Sequence, residues 1–197
     1  MDSEECLQNI LDTLDHIEHI KVADIPTIEL YMDQVTSFMD KGLHPKIRKS
    51  EDNRIMTKTM INNYAKNDLL PPPIKKKYSK EHILLLIFIY YFKGVLPIYE
   101  IQALLRPITE RYFQTNAKLG LEDIYEEVFR LEESQIALLK ADVKEKFTQA
   151  KGAFANATPD ESDFLRKFTL ICMLSFDVYL KKRMIDKLVE ELNFESK

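Results

Sequence analysis

Thr57–Gly94 reads TKTMINNYAKNDLLPPPIKKKYSKEHILLLIFIYYFKG, and this stretch decides how the chain folds. Thr57 and Ser79 each carry a hydroxyl able to accept the orphan N–H groups of a helix start, whereas Pro71–Pro73 cannot continue a helix. The predicted order is a helix from Thr57 to Asn67, a rigid corner bearing Lys75, Lys76 and Lys77, and a second helix from Ser79 to Lys93. Ile83–Phe92 is apolar without a break but is about half the length that a bilayer span needs, so it reads as a buried helix.

Outward from this stretch, the chain keeps helical spacing. Leu7, Ile10, Leu11, Leu14, Ile17 and Ile20 mark an N-terminal helix, and Leu30, Val35, Phe38 and Met39 give a second its apolar positions. A short helix is expected from Pro97 to Arg106, because proline in a first turn lacks only an N–H that had no partner there. Glu122–Lys151 is charged and amphipathic, and Asp160–Leu192 places Phe164, Phe168, Ile171, Ser175, Val178, Ile185, Val189 and Leu192 at three- and four-residue steps. The short linker Gly152–Pro159 makes these two helices antiparallel neighbours. Gly42, Gly94, Gly120 and Gly152 each follow an apolar or amphipathic stretch, where a left-handed residue commonly ends a helix. No segment alternates as a strand does.

Charge singles out the same region. Met1–Asp40 holds 10 acidic residues and 1 basic, Lys41–Lys93 holds 12 basic and 4 acidic, and Gly94–Lys197 holds 15 basic and 18 acidic. A chain of net charge −4 thus gathers +8 into one segment. Such a face suits a polyanion, because lysines that neutralise phosphates release counterions. On the helix Thr57–Asn67, Met60, Ile61 and Tyr64 fall inward, with Tyr64 alternatively offering its hydroxyl to a phosphate, and Lys58, Thr59, Asn62, Asn63 and Lys66 fall outward. The asparagine amide pairs with adenine in the major groove, and lysine suits guanine or phosphate.

The segment Ile55–Leu105 resembles the DNA-binding head of the MerR family of bacterial regulators, through Thr57, Ile61, Tyr64, Lys66, Leu69, Leu70, Pro71, Pro72, Tyr78, Ser79 and the helix VLPIYEIQALL. It departs from that family at Asn62, where an Arg is usual, at Asp68, which replaces a Gly, and in a wing cut to Ile74–Lys77. Ile25–Leu105 resembles more closely a bacterial family known as domain of unknown function eighteen-thirty-six. The MerR resemblance implies a helix-turn-helix that reads double-stranded DNA with helix 57–67 and controls transcription. Arg54, Thr57, Lys58, Thr59, Asn62, Asn63, Tyr64, Lys66, Lys75, Lys76 and Lys77 are the expected DNA contacts. Regulators of this kind bind two half-sites as symmetric dimers. The apolar residues Phe168, Ile171, Val178, Ile185 and Val189 are accordingly expected at a homodimer seam, the alternative being that the N-terminal half of the same chain covers them.

The reading is an all-α protein: an N-terminal amphipathic helix over residues 1–24, a MerR-like winged helix-turn-helix domain over 25–107, and a C-terminal antiparallel helical hairpin over 108–197 for dimerisation or sensing. Four isolated glycines supply no phosphate loop, and no nucleophile motif is present, so no enzyme and no cofactor are expected. His16 and His19 flank Glu18, but two histidines without a third fixed ligand read as a surface pair and not as a metal site. Cys6 and Cys172 form no disulfide framework, and Cys172, within FTLICMLSF, is expected to be a buried reduced thiol in a cytoplasmic protein. No membrane partner is expected, and an effector, small molecule or protein, is left open. The alternative function is a helical protein-interaction adaptor that keeps the fold without binding DNA.

Overall fold

The structure, a computed structural model, describes residues 3–17, 19–43, 55–115, 118–154 and 157–194. The elements in chain order are α1 Ser3–Asp15, β1 Leu30–Tyr31, α2 Met32–Leu43, α3 Lys58–Lys66, β2 Lys77–Tyr78, α4 Lys80–Phe92, α5 Ile98–Tyr112, α6 Leu121–Gly152 and α7 Pro159–Phe194, with a 3-10 turn at Val22–Asp24. The protein is mostly helical. It divides into two compact units, Glu18–Phe129 with Leu188–Lys197, and Met1–Ile17 with Arg130–Lys187. Among the described residues no helix is long and apolar enough to cross a membrane.

The first unit is organised by α4. His82 to Ile89 are all buried, Leu84 to Ile87 at 0% exposure, so this helix has no wet face and must be enclosed on every side. The other fully buried side chains of the unit include Val35 and Met39 of α2, Ile61 of α3 and Ile101 of α5. From α6, Tyr125 sets its ring 5.6 Å from Phe88 and 4.3 Å from Phe129, and its hydroxyl donates to the carbonyl of Ile20 at 2.6 Å. Ile20 also lies against α2, where a Cβ on Gly42 would meet its Cδ1 at 2.5 Å. At the far side, both carboxylate oxygens of Glu81 accept the N–H of Gln114, tying the first turn of α4 to the end of α5.

In the second unit three helices pack antiparallel. Glu4 and Asp15 of α1 pair with Lys151 and Lys140 of α6, so the two helices run in opposite directions. Lys146 of α6 pairs with Asp177 of α7 at 2.9 Å, while Phe147 and Ala150 pack with Leu170, Leu174 and Leu7. The predicted hairpin is therefore present, with α1 along it. Its outer face stays wet: Phe164 is 67% exposed, Ile171 60% and Val178 69%.

Several expectations need correction. The N-terminal helix stops at Asp15 and not at Ile20, because the ring Nδ1 of His16 hydrogen-bonds the Asp12 carbonyl at 2.6 Å and 3-10-type bonds close the last turn. The helix expected to end at Arg106 runs through Pro107 to Tyr112, bridged across the proline by the Arg106–Glu110 pair and by Thr109 Oγ1 donating to the Arg106 carbonyl. No described glycine has a positive φ; that conformation falls on Asp68, Lys75, Lys76, Gln114 and Phe154. Among the described residues there are two strands, each two residues long and too short for alternation to register. Cys172 is exposed, since it shares the wet face of α7.

Truncating Leu85 to Ala should cost about 2–5 kcal/mol, because the enclosed site cannot collapse freely around the void. Urea unfolding checks this; a loss below about 1 kcal/mol would mean that α4 is loosely enclosed.

Candidate nucleic-acid interface

The start of α3 is pinned from two helices. The Ile55 N–H donates to Asp40 Oδ1 of α2 at 2.9 Å, and its carbonyl accepts Lys93 Nζ from the end of α4 at 2.7 Å. Burial lowers the Lys93 ammonium below its ordinary value, and the charge is held 5.1 Å over the Tyr90 ring. Met56 follows at 0% exposure, and Thr57 Oγ1 then accepts the Met60 N–H at 3.2 Å as the N-cap. Thr57 is thus occupied as a cap. Its hydroxyl serves the helix start that its sequence position announced.

Along α3, Lys58, Thr59, Asn62, Asn63 and Lys66 are all exposed, while Ile61 and Tyr64 are buried and Met60 is half-buried. Tyr64 takes the inward of its two readings, and burial raises its phenol above the ordinary value. The helix is closed by Asn67, whose Nδ2 donates to the Asn63 carbonyl at 2.8 Å, and by the N–H groups of Leu69 and Leu70, which donate to the Tyr64 carbonyl. Asp68 makes this closure possible at φ 53. Aspartate is one of the few residues besides glycine that enters this region readily.

Beyond Pro71–Pro73, the Lys77 N–H donates to the Ile74 carbonyl at 2.9 Å, with Lys75 at φ 50 and Lys76 at φ 64. Two positive φ angles in a two-residue loop mark a type I′ turn, a conformation usually given to Asn-Gly. Lys75 and Lys76 are exposed at its tip. Antiparallel pairing of β1 with β2 sets Leu30 opposite Tyr78 and Tyr31 opposite Lys77. Lys77 Nζ lies 5.6 Å over the Tyr31 ring, which is 54% exposed.

The corner is anchored to α4 by His82, which is 1% exposed between the rings of Tyr78 and Phe113. Its Nδ1 accepts the Ser79 N–H at 3.0 Å and meets Ser79 Oγ at 2.8 Å, completing a capping box in which histidine replaces the usual Glu or Gln. An accepting Nδ1 places the ring proton on Nε2. That edge faces the carbonyls of Pro72 and Pro71, although without a well-formed hydrogen bond. Burial lowers the His82 pKa from its ordinary 6.5, against the opposing pull of those carbonyls and of Glu29.

The expected contacts are only partly assembled by this geometry. Lys58, which opens α3, ion-pairs with Asp33 in the first turn of α2, and Lys77 stacks on Tyr31 two residues earlier, so two lysines distant in sequence flank the start of one helix. Tyr31 and Asp33 were not singled out from sequence, because a two-residue strand pair leaves no periodic signal. Arg54 lies outside the described residues. At the expected dimer seam, Phe168, Ile171 and Val178 are exposed, whereas Ile185 is half-buried and Val189 is buried at 6% within its own chain, so Val189 leaves the seam. His19 stacks on Phe129 at 5.1 Å and His16 caps α1, so the histidines beside Glu18 do not share a helix face.

A family model described as "Domain of unknown function (DUF1836)" matches residues 20–128. No curated protein and no solved structure matches the chain.

Because neutral His82 suits the fold and its pKa is lowered there, its contribution is complete above about pH 6.5 and is lost as pH falls below that value, where the unfolded chain takes up the proton first. Unfolding free energies from urea titrations should therefore decline between pH 7 and pH 5, by at most about 1.4 kcal/mol per pH unit from this one group. His82→Gln should remove that share of the decline; identical slopes in the two proteins would mean that His82 is not held neutral.

Proposed function

The chain belongs to the family described as "Domain of unknown function (DUF1836)", which assigns no activity, and from its head geometry we propose that it is a sequence-specific DNA-binding regulator of transcription. The observation that carries the reading is the pairing of one exposed helix row, Lys58, Thr59, Asn62, Asn63 and Lys66, with a rigid two-lysine turn on the same unit. Asn62 and Asn63 bring amides that suit adenine edges in the major groove. Lys75 and Lys76, the tip of a wing reduced to one turn, neutralise backbone phosphate. The head is then a MerR-like winged helix-turn-helix working in the bacterial cytoplasm, and α6–α7 form its dimerisation or sensing region.

Left-handed lysines favour this reading over a neutral structural turn. Asn or Gly would hold the same backbone with less strain, so lysine at both positions is explained by what its charge does. The adaptor alternative draws on the wet face of α7, which suits a protein partner as well as a second copy. Phe168, Ile171 and Val178 form that face, and a symmetric homodimer across it presents two heads to two half-sites.

Recovery of one discrete site from a pool of genomic fragments by the purified protein tests the reading, and recovery of none would favour the adaptor. On that site, Lys75→Asn combined with Lys76→Gly should leave the fold as stable or more so while reducing the slope of log K against log salt by about 1.8, two phosphates at about 0.9 each. Asn62→Ala should weaken the site by about 1–3 kcal/mol and random DNA hardly at all.

For assembly, light scattering should return twice the chain mass of 23.2 kDa, and Ile171→Glu should return it to one. A wild-type mass of one chain at all concentrations would refute the dimer.

A further inference from the structure

Lys58 is the first residue of α3 and belongs to the exposed row proposed to face DNA, yet its ammonium is already engaged. Its Nζ contacts Asp33 Oδ1 in the first turn of α2, with side-chain exposures of 52% and 74%. Asp33 is well placed for a helix start, where the N–H groups favour an anion. The same position sets a carboxylate at the edge of the proposed interface, close enough to Lys58 to neutralise it and within a screening length of any phosphate that Lys58 could touch. An ion pair this exposed is weak, so a phosphate can replace the carboxylate. The replacement leaves Asp33 facing the polyanion. On the other side of the same turn, Lys77 lies over the Tyr31 ring, and it has no carboxylate among its described ion-pair partners.

We propose that Asp33 is an internal competitor for DNA phosphate: by holding Lys58 it removes one cation from the binding face and lowers the affinity of the head for all DNA. This rests on the DNA-binding reading and adds to it a residue that sets the threshold of binding without reading a base. Lys58 contributes less while Asp33 is present. Without Asp33 it contributes one full phosphate contact.

The test measures binding of a random-sequence DNA duplex as a function of salt for the full chain, Asp33→Asn, Lys58→Ala and the double variant. Asp33→Asn should steepen the salt slope by about 0.9, which amounts to about eightfold tighter binding at 0.1 M salt. Lys58→Ala should abolish the gain in the Asp33→Asn protein. Asp33→Ser, also suited to a helix start, repeats the measurement should Asn disturb the fold, which circular dichroism reports. If wild type binds with a measurable slope and neither variant at position 33 alters it, the proposal is overturned and the DNA reading stands. A gain that survives Lys58→Ala also overturns it, since Asp33 would then act by plain repulsion. Absence of any salt-dependent binding by the wild type and every variant removes the DNA reading and the proposal together.

Discussion

A helix that is apolar on every face has only one stable place in water, and that is inside. The run from Ile83 to Ile89 imposes this condition on its unit. Burying each large aliphatic side chain is worth about 1.5–3 kcal/mol, so neighbours are recruited from both directions of the chain. α2 and α3 come from before it, and α5 and the first turns of α6 from after it. The candidate interface is a by-product of that enclosure. α3 gives Ile61 and Tyr64 to the interior and so turns its asparagines and lysines to solvent.

Elements whose start or stop is a local chemical event were legible in the sequence. Thr57, Ser79 and the three prolines bounded α3 and α4 to within a residue, and the long amphipathic repeats bounded α6 and α7 nearly as well. What was not legible depends on contacts between distant residues. The strand pair Leu30–Tyr31 with Lys77–Tyr78 is too short to leave a pattern, so the positions of Tyr31 and Asp33 beside the lysines emerged only from its register. Backbone handedness was misassigned for a related reason. Glycine is merely permitted to adopt a positive φ, and here Asp68, Lys75 and Lys76 adopt it under the demands of closure and pairing.

The two units express different physics. Around α4 the interior is aromatic and aliphatic with few polar groups; the Tyr125 hydroxyl is satisfied by the Ile20 carbonyl, whereas His82 Nε2 lacks a well-formed bond. The α1–α6–α7 unit joins a narrow apolar cluster to ion pairs between helices, such as Lys146 with Asp177. Pairs nearer the surface, such as Glu4 with Lys151, contribute little each and weaken with salt. High ionic strength therefore acts on this unit through its surface pairs, and on the α4 unit through those of Lys58 with Asp33 and Arg106 with Glu110.

Ile55 has a consequence for how the chain tolerates change. Its peptide group is gripped by Asp40 on one side and Lys93 on the other, and Met56 is sunk immediately behind it. The orientation of α3 is thus set by α2 and α4 directly. A change at Asp40 or Lys93, neither of them in α3, therefore re-aims the helix, so its direction is a property of its neighbours and not of its own sequence.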